Sequence, residues 1–324
     1  MSLADVNYLM DQNECQEVAE QLLAIMEPLI RCHTPSGKEE EITEYILQFV
    51  TEKCHGWTAF SDQDGTSRIG NIFAVPKKYV DTSNRFSSTN RLPILMAHMD
   101  TVNLNDREQL SAYAFPDSID GNGIVGGYQN FVLGFDDRAG IALILHLMST
   151  YSDPNFKVLF TVQEEKTWDP NLKVDGRNGG GGIQYALNTY REFFDTSLWT
   201  IMVDRAEDKS ERVTRNSIRK APSDIIYQYL DENTCSLAFK ERIEAISKDL
   251  SMPMKSTGSG GRGDTCNICL SCGPSYSSVN LAAGGYGEHH PGDYLCIYQT
   301  VRTLRVIEEC IRQQDELYQA SQVQ

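Results

Sequence analysis

Five short stretches of the sequence carry side chains that can bind a metal ion: ILMAHMD, GFDDRAG, LFTVQEE, IMVD and EHHPGD. Together they supply seven such residues: His98, Asp100, Asp136, Glu164, Glu165, Asp204 and His289. Imidazole and carboxylate groups suit zinc and similar divalent ions. Because this set exceeds what one ion needs, it predicts two ions that share a carboxylate, with one glutamate left free to move protons.

Apolar runs precede most of these residues and indicate how the chain positions them. Leu92–Ala97, Val158–Val162 and Leu198–Val203 are continuous apolar segments, typical of central strands that are covered on both faces. Helical patterns alternate with these segments. This alternation predicts a three-layer αβα fold of the α/β class, whose middle layer is a mixed, mostly parallel sheet. Ligands of such sheets bind beyond the C-terminal ends of the strands, so the metal-binding residues should meet at one edge.

The remaining elements follow from apolar periodicity and turn residues. Helices are expected over Glu14–Ile30, from near Ser36 to Glu52, and over Ala139–Tyr151, Ile183–Tyr190, Ser236–Leu250 and Leu295–Leu317, with strands over 70–75 and Val279–Ala283. Ser36 followed by Glu39 has the pattern of a capping box. His146 lies within a helical pattern and is interpreted as a packed histidine.

Cysteine spacing offers a competing metal site. Cys266, Cys269 and Cys272 form a C-x-x-C-x-x-C run, which could hold zinc or part of an iron–sulfur cluster. A fourth cysteine at matching spacing is missing from the sequence, which favours a short helix whose cysteines act as small apolar residues.

Composition limits the partners and the compartment. The chain has 324 residues and a formal net charge of -16, which argues against nucleic acid and anionic membranes as partners. Its nine cysteines, an odd number, suit reduced thiols in a cytoplasm better than a disulfide framework. The sequence shows neither a secretory signal pattern nor an apolar run of the roughly 20 residues that a membrane helix needs. A cytoplasmic location is therefore expected.

Position along the chain suggests separate roles for the acidic residues. Asp136 stands just before a helix and suits a bridge between two ions, because a carboxylate can bind both. Asp100 can accept the ring N–H of His98 and fix its tautomer. Adjacent Glu164 and Glu165 point to different sides, so one can bind metal while the other reaches water as a general base.

The order of these stretches resembles the di-zinc, co-catalytic exopeptidase superfamily of zinc aminopeptidases, tripeptidases, and zinc carboxypeptidases with related deacylases. The resemblance runs from Thr34-Pro35-Ser36-Gly37 to Asp293 and is most specific at HMDTV, GFDDRAG and TVQEE. It implies a zinc-exopeptidase fold, also described as phosphorylase/hydrolase-like. The spacings leave no room for a dimerisation domain or a shell-building insert, so residues 1–324 are expected to form one catalytic domain of the single-domain aminopeptidase type.

The resemblance also implies roles for individual residues. Five ligands would hold two divalent ions, zinc above all: His98, Asp136, Glu165, Asp204 and His289. Asp100 would orient His98, Glu164 would be the general base, and a cis peptide is expected between Asp136 and Asp137. The family's His-Ser-Pro-x-Glu stands here as His289-His290-Pro291-Gly292-Asp293. Three further residues are candidates for substrate contact: Arg262, Tyr286 and His290. Arg138 and Arg205 could instead neutralise the acidic cluster.

The expected activity is hydrolysis of a peptide or amide bond, most simply by an aminopeptidase acting on small peptides through a water shared by two zinc ions. A carboxypeptidase or N-acyl amino-acid deacylase, acting on an acylated amino acid, is the alternative. Acidic residues would hold a free amino group (Asp137, Glu207, Asp208), whereas arginines would hold a carboxylate (Arg205, Arg262). A non-catalytic binding protein on the same fold is a second alternative. The oligomeric state is left open.

Overall fold

A computed structural model describes residues 12–62, 70–81, 88–102, 123–126, 132–165, 173–174, 177–178, 181–204, 224–229, 232–257, 263–273, 275–287, 289 and 291–323. The helices in these ranges are α1 (Gln12–Arg31), α2 (Glu40–Lys53), α3 (Phe135–Thr150), α4 (Gly181–Thr189), α5 (Arg191–Asp195), α6 (Leu237–Asp249), α7 (Asp264–Cys272), α8 (Ile297–Arg312) and α9 (Gln314–Ser321). The strands are β1 (Trp57–Ser61), β2 (Ile72–Pro76), β3 (Leu92–His98), β4 (Ile124–Gly126), β5 (Lys157–Thr161), β6 (Lys173–Val174), β7 (Arg177–Asn178), β8 (Ser197–Asp204), β9 (Ile225–Ile226), β10 (Gln228–Tyr229), β11 (Glu232–Asn233), β12 (Ser256–Thr257), β13 (Ser278–Ala282), β14 (Gly285–Tyr286) and β15 (Tyr294–Cys296).

The central sheet has eight strands in the order β1-β2-β5-β3-β8-β13-β9-β12. Its middle four strands, β5, β3, β8 and β13, run parallel to one another. The outer pairs β1-β2, β2-β5 and β13-β9 are antiparallel, so the predicted mixed, mostly parallel sheet is confirmed. His98 pairs in register with Thr161, and Asp204 with Ala282, which brings the C-terminal ends of the four parallel strands to one edge.

Helices cover both faces of this sheet. Along β8, Trp199, Ile201 and Val203 pack into the larger core, which contains residues of α1, α2, α3, α6 and α8. Met202 points to the opposite face, into a second core with residues of α4, α5 and α7. This period of two follows from the pleat of a strand. The three-layer αβα architecture predicted from the sequence is therefore present.

Two of the sequence predictions about helices were wrong. The capping box is not formed: α2 begins at Glu40, and Glu39 makes no side-chain cap hydrogen bond. The expected closing helix is divided, because residues 294–296 form strand β15 and the helical segment is separated into α8 and α9 at Gln313.

Other interpretations hold. Cys266, Cys269 and Cys272 lie on α7, the short helix that the sequence predicted. His146 is buried, with 6% of its surface exposed. The described helices include none that is both long and apolar enough to cross a membrane. That residues 1–324 form one domain stays a prediction, as does the cytoplasmic location.

Candidate metal centre

The predicted ligands converge beyond one edge of the parallel sheet. His98 and Asp204 are the last residues of β3 and β8. Glu164 and Glu165 follow β5, and Asp136 is the second residue of α3. His289 comes from the loop between β14 and β15. Three of the ligand atoms, from His98, Asp136 and Glu165, lie within 4.8 Å of one another.

The carboxylate of Asp136 stands at the centre of the cluster. Its Oδ1 lies 2.9 Å from Nε2 of His98, while its Oδ2 lies 3.4 Å from Nε2 of His289. Asp204 joins the first group, with Oδ1 3.7 Å from Nε2 of His98, and Glu165 joins the second, with Oε1 2.8 Å from Nε2 of His289. The five residues thus form two groups of one imidazole and two carboxylates that share Asp136.

Hydrogen bonds from the surrounding structure orient these ligands. Nδ2 of Asn280 on β13 donates to Oδ2 of Asp204 at 3.0 Å, which leaves Oδ1 to face His98. The peptide between Asp136 and Asp137 is cis, as the resemblance predicted. The fold therefore fixes the carboxylate of Asp204 from outside the cluster.

Asp137 connects the ligand-bearing segments and is almost fully buried. Its Oδ2 accepts the backbone N–H of His98 at 3.1 Å, and its Oδ1 accepts that of Gly140 at 3.1 Å. Although its carboxylate lies close to His98 and Asp204, both oxygens already have these backbone partners. Asp137 therefore holds β3 against α3.

Asp100 differs in one respect from the sequence expectation. Its backbone carbonyl oxygen lies 3.0 Å from Nδ1 of His98, nearer than its carboxylate Oδ1 at 3.5 Å. The carboxylate also serves the loop after β5, because Oδ1 accepts the N–H of Glu164 at 2.9 Å and Oδ2 that of Glu165 at 3.0 Å. Asp100 therefore contacts the histidine and the segment that carries both glutamates.

Glu164 is buried beside the two groups. Burial raises its pKa well above the ordinary value, opposed by the charge of His98 and reinforced by that of Glu165. Its Oε1 would lie 3.6 Å from a Cβ added at Gly263, the residue before α7. A Cβ on Gly263 would therefore be in van der Waals contact with the carboxylate.

The histidines are strongly basic in this environment. Burial lowers the pKa of His98, but hydrogen bonds to Asp100, Asp136 and Asp204 outweigh it and raise the pKa well above its ordinary value. Burial likewise opposes the rise for His289, whose pKa is raised to about 10 by Asp136 and Glu165. Protons thus offset the charge of the crowded carboxylates. Divalent cations can replace these protons, since metal binding to such ligands releases protons.

Tyr286 and Arg138, also named from the sequence, make contacts outside the ligand cluster. Tyr286 is 5% exposed, stacks on Tyr294 and donates its hydroxyl to Gln299, a position that favours packing over substrate contact. Arg138 does not neutralise the acidic groups by direct contact. Its guanidinium donates to the backbone carbonyls of Leu29, Cys32 and Gly134 and to the hydroxyl of Thr34. Five residues named above lie outside the described residues: Arg205, Glu207, Asp208, Arg262 and His290.

Two buried carboxylates near the centre were not singled out as site residues by the sequence. Asp293 accepts the backbone N–H groups of Leu133, Gly134 and Phe135 at 2.6, 2.9 and 3.3 Å, which fixes the segment leading into Asp136. Its position at the end of His-His-Pro-Gly-Asp is the sequence feature that could have identified it as a site residue. Asp264, at the start of α7, accepts from Oγ1 of Thr161 at 2.6 Å, and burial raises its pKa to about 7. Nothing in its sequence context distinguishes it.

Solved structures share this fold. No protein-family model matches the chain, and no curated protein matches it. An aminopeptidase from the archaeon Desulfurococcus kamchatkensis is 12% identical over 94% of this chain and 99% of that chain, with a TM-score of 0.62. A TET aminopeptidase from a marine sediment Thaumarchaeota archaeon is 13% identical over 93% and 99%, with a TM-score of 0.62. The aminopeptidase PepT of Bacillus cereus is 15% identical over 90% and 98%, with a TM-score of 0.58. The chain therefore has the fold of these aminopeptidases, as its motifs predicted.

Proposed function

We propose that the chain is a metal-dependent peptidase whose centre holds two divalent cations. The observation that carries this proposal is the position of Asp136, whose two oxygens face different imidazoles, at 2.9 Å from His98 and 3.4 Å from His289. A carboxylate placed in this way suits a bridge between two ions. Asp204 completes one group and Glu165 the other.

The donor set fits zinc. Each group offers one imidazole nitrogen and two carboxylate oxygens, which are the ligands that zinc accepts in proteins. Three protein ligands per ion leave a position open for water or substrate, as in catalytic zinc sites. Burial, reinforced by the charge of Asp136, raises the pKa of both Glu165 and Asp204, so the cluster favours a cation between its members.

Glu164 is the proposed general base. Divalent cations bound at this centre would supply Lewis-acid activation of a carbonyl and of water. Glu164 lies beside the two groups and is not a member of either, so its carboxylate is available to take a proton from the attacking water. It then returns that proton to the leaving amine. Burial raises the pKa of Glu164, which assists the second transfer because the protonated carboxyl is the form that donates.

We favour an aminopeptidase among the possible amide hydrolases because several solved structures with this fold are named aminopeptidases. Small peptides with a free amino terminus are then the substrates. Asp137, one of the three acidic candidates for recognition of a free amino group, is buried and is therefore a poor candidate for that contact. Residues that contact the substrate termini would come from the loops that surround the centre.

Substitution of Glu164 by Gln tests the role of the base. The amide keeps the volume of the side chain but cannot take a proton, so turnover of a tripeptide should fall by about 10²–10⁴-fold. Metal content and melting temperature should stay near those of the parent protein. Glu44→Gln on α2 is the matched control, since Glu44 is exposed. Undiminished hydrolysis by Glu164→Gln would refute the assignment.

A substrate panel separates the activities. The panel contains tripeptides, aminoacyl amides, N-acetylated tripeptides and N-acyl amino acids, each tested with zinc, cobalt and manganese. An aminopeptidase cleaves the first two and loses activity when the amino terminus is acetylated. Cleavage of the N-acyl compounds would assign a carboxypeptidase or deacylase. Metal binding without hydrolysis of any compound would favour the binding protein.

A further inference from the structure

The segment that follows β5 and carries both glutamates is held by two buried carboxylates. Three consecutive backbone N–H groups donate to them: that of Gln163 to Oε1 of Glu39 at 3.1 Å, and those of Glu164 and Glu165 to the two oxygens of Asp100 at 2.9 and 3.0 Å. The carboxylates come from other parts of the chain, so the local sequence alone does not set the conformation of this segment.

Gln163 adopts a backbone conformation that needs such support. Its φ is 59°, in the left-handed region that residues other than glycine rarely occupy. It directly precedes Glu164, so its torsion angles set the direction in which the next two side chains leave the strand. Its N–H bond to Glu39 is therefore placed where it can control the aim of both glutamates.

Glu39 does not serve its own helix through its side chain. It precedes α2, where it makes no side-chain cap hydrogen bond, and only its backbone oxygen accepts the N–H of Thr43. The carboxylate turns the other way, accepting from Gly37 at 2.8 Å as well as from Gln163. Only 4% of the residue is exposed. A buried carboxylate aimed away from the helix that it could cap points to a role in the loop.

The short segment before α2 is tied to the metal centre by further bonds. Oγ of Ser36 donates to Oδ2 of Asp100 at 2.5 Å, the same oxygen that accepts the N–H of Glu165. The backbone N–H of Thr101 donates to the carbonyl of Thr34 at 2.9 Å. Ser36 and Glu39 thus reach adjacent positions of one network, Ser36 through Asp100 and Glu39 directly.

We propose that Glu39 is a positioning residue for catalysis: by accepting the N–H of Gln163, it fixes the backbone that aims Glu164 at the reacting atoms and Glu165 at the metal. This inference rests on the proposed function of Glu164 as a general base. Glu39 itself contacts neither substrate nor metal and acts through the segment 163–165.

Variants at Glu39 separate this role from simple stabilisation. Glu39→Gln keeps an Oε1 acceptor in the same place and should preserve both N–H bonds. Glu39→Ala removes the acceptor. Glu40→Ala is the matched control, because Glu40 is the adjacent residue and is exposed. The measurements are kcat and KM for a tripeptide at saturating zinc, on protein shown to be folded by its melting temperature.

We expect Glu39→Ala to lower kcat about 10–100-fold with KM little changed, as when hydrogen-bond partners that orient functional side chains are removed. Glu39→Gln should recover most of the parent kcat, and Glu40→Ala should match the parent. A parent-like kcat for Glu39→Ala, or equal losses for Glu39→Ala and Glu39→Gln, would overturn the proposal. If Glu39→Ala does not fold, Glu39→Asp decides, since its shorter side chain withdraws the acceptor: lowered kcat supports the proposal and parent-like kcat contradicts it.

Hydrogen exchange provides a measurement that needs no turnover. Mass spectrometry of a peptide covering residues 163–165 should show faster amide exchange in Glu39→Ala than in the parent and Glu39→Gln, while peptides from β8 exchange alike in all three. Unchanged exchange at 163–165 would contradict the proposal. Absence of hydrolysis by the parent protein would reject the proposed function instead, and the exchange comparison would still decide whether Glu39 fixes the segment.

Discussion

Oδ2 of Asp136 lies 3.4 Å from Nε2 of His289, although the two residues come from distant parts of the chain. Asp136 stands at the start of α3, and His289 lies in the loop after β14 with a φ of 59°. Asp136 lies on a helix and His289 in a loop, so neither residue belongs to the central sheet. Their approach makes Asp136 shared between two ligand groups, so substitution of His289 should affect one group and spare the other.

His289→Ala should bind about one divalent ion per chain where the parent binds about two. The loss removes the imidazole from the group of Asp136 and Glu165 but leaves His98 and Asp204 in place. Metal analysis after dialysis against a weak chelator measures the ratio. His55→Ala, at an exposed histidine, is the control. Retention of both ions by His289→Ala would show that this residue is not a ligand.

Asp293 should govern the placement of Asp136 without touching it. Its carboxylate accepts the N–H groups of Leu133, Gly134 and Phe135, the three residues before Asp136. Asp293→Ala leaves these donors without their acceptor. We expect zinc affinity to fall about 10–100-fold, as when the partners of metal ligands are removed. Competition with a fluorescent zinc chelator measures it.

Asp249→Ala is the control for that experiment, because Asp249 is an exposed aspartate at the end of α6. Its zinc affinity should equal that of the parent. If Asp293→Ala and Asp249→Ala bind zinc equally well, the bonds from Asp293 to the segment before Asp136 do not influence the centre.

The sequence was sufficient to predict β2, β3, β5, β8 and β13 of the central sheet, but not its outer strands β1, β9 and β12. Continuous apolar runs marked β3, β5 and β8. A polar side chain that follows such a run in a parallel sheet lies at the edge formed by the C-terminal ends of the strands. His98 and Asp204 could be located in this way. The same reasoning could not identify the partners of the ligands, because those partners come from other segments of the chain.

The capping-box residues Ser36 and Glu39 were assigned wrongly from the sequence. Ser36 and Glu39 have capping-box spacing, yet Ser36 binds Asp100 and Glu39 binds Gln163. Tertiary hydrogen bonds displaced the local pattern, since a buried N–H without an acceptor is costly. Arg138 was a candidate for neutralising the acidic cluster; its guanidinium donates to backbone carbonyls from the end of α1 and the segment after it, while its charge also acts on Asp293. Charge alone did not indicate these carbonyl partners.

Gly140 should tolerate no side chain. A Cβ there would lie 2.0 Å from the carbonyl oxygen of Val203 and 2.4 Å from Oδ1 of Asp137. Gly140→Ala must therefore push α3 away from β8, at a cost of about 1–3 kcal/mol in unfolding free energy. Urea denaturation of the metal-free protein measures the change. Gly56→Ala is the control, since its added Cβ would meet nothing closer than 3.6 Å, and equal stabilities of the two variants would contradict the prediction.

His146 should make the protein sensitive to acid. Burial, with the nearby charge of Arg305, lowers the pKa of His146 from 6.5 to about 4. Because the folded protein holds this ring neutral, its contribution to stability is complete above pH 6.5. That contribution is lost as the pH falls from 6.5 to 4, where the unfolded chain takes up a proton and the folded chain does not.

His146→Leu removes the titration while keeping a similar volume. The unfolding free energy of the parent should fall by about 2–3 kcal/mol more than that of His146→Leu between these pH values. Urea denaturation at a series of pH values measures both curves, and the difference between them cancels the carboxylates that the two proteins share. His55→Leu, at an exposed position, should follow the parent. Parallel curves for the parent and His146→Leu would mean that the buried ring is charged in the fold, which its place beside Arg305 argues against.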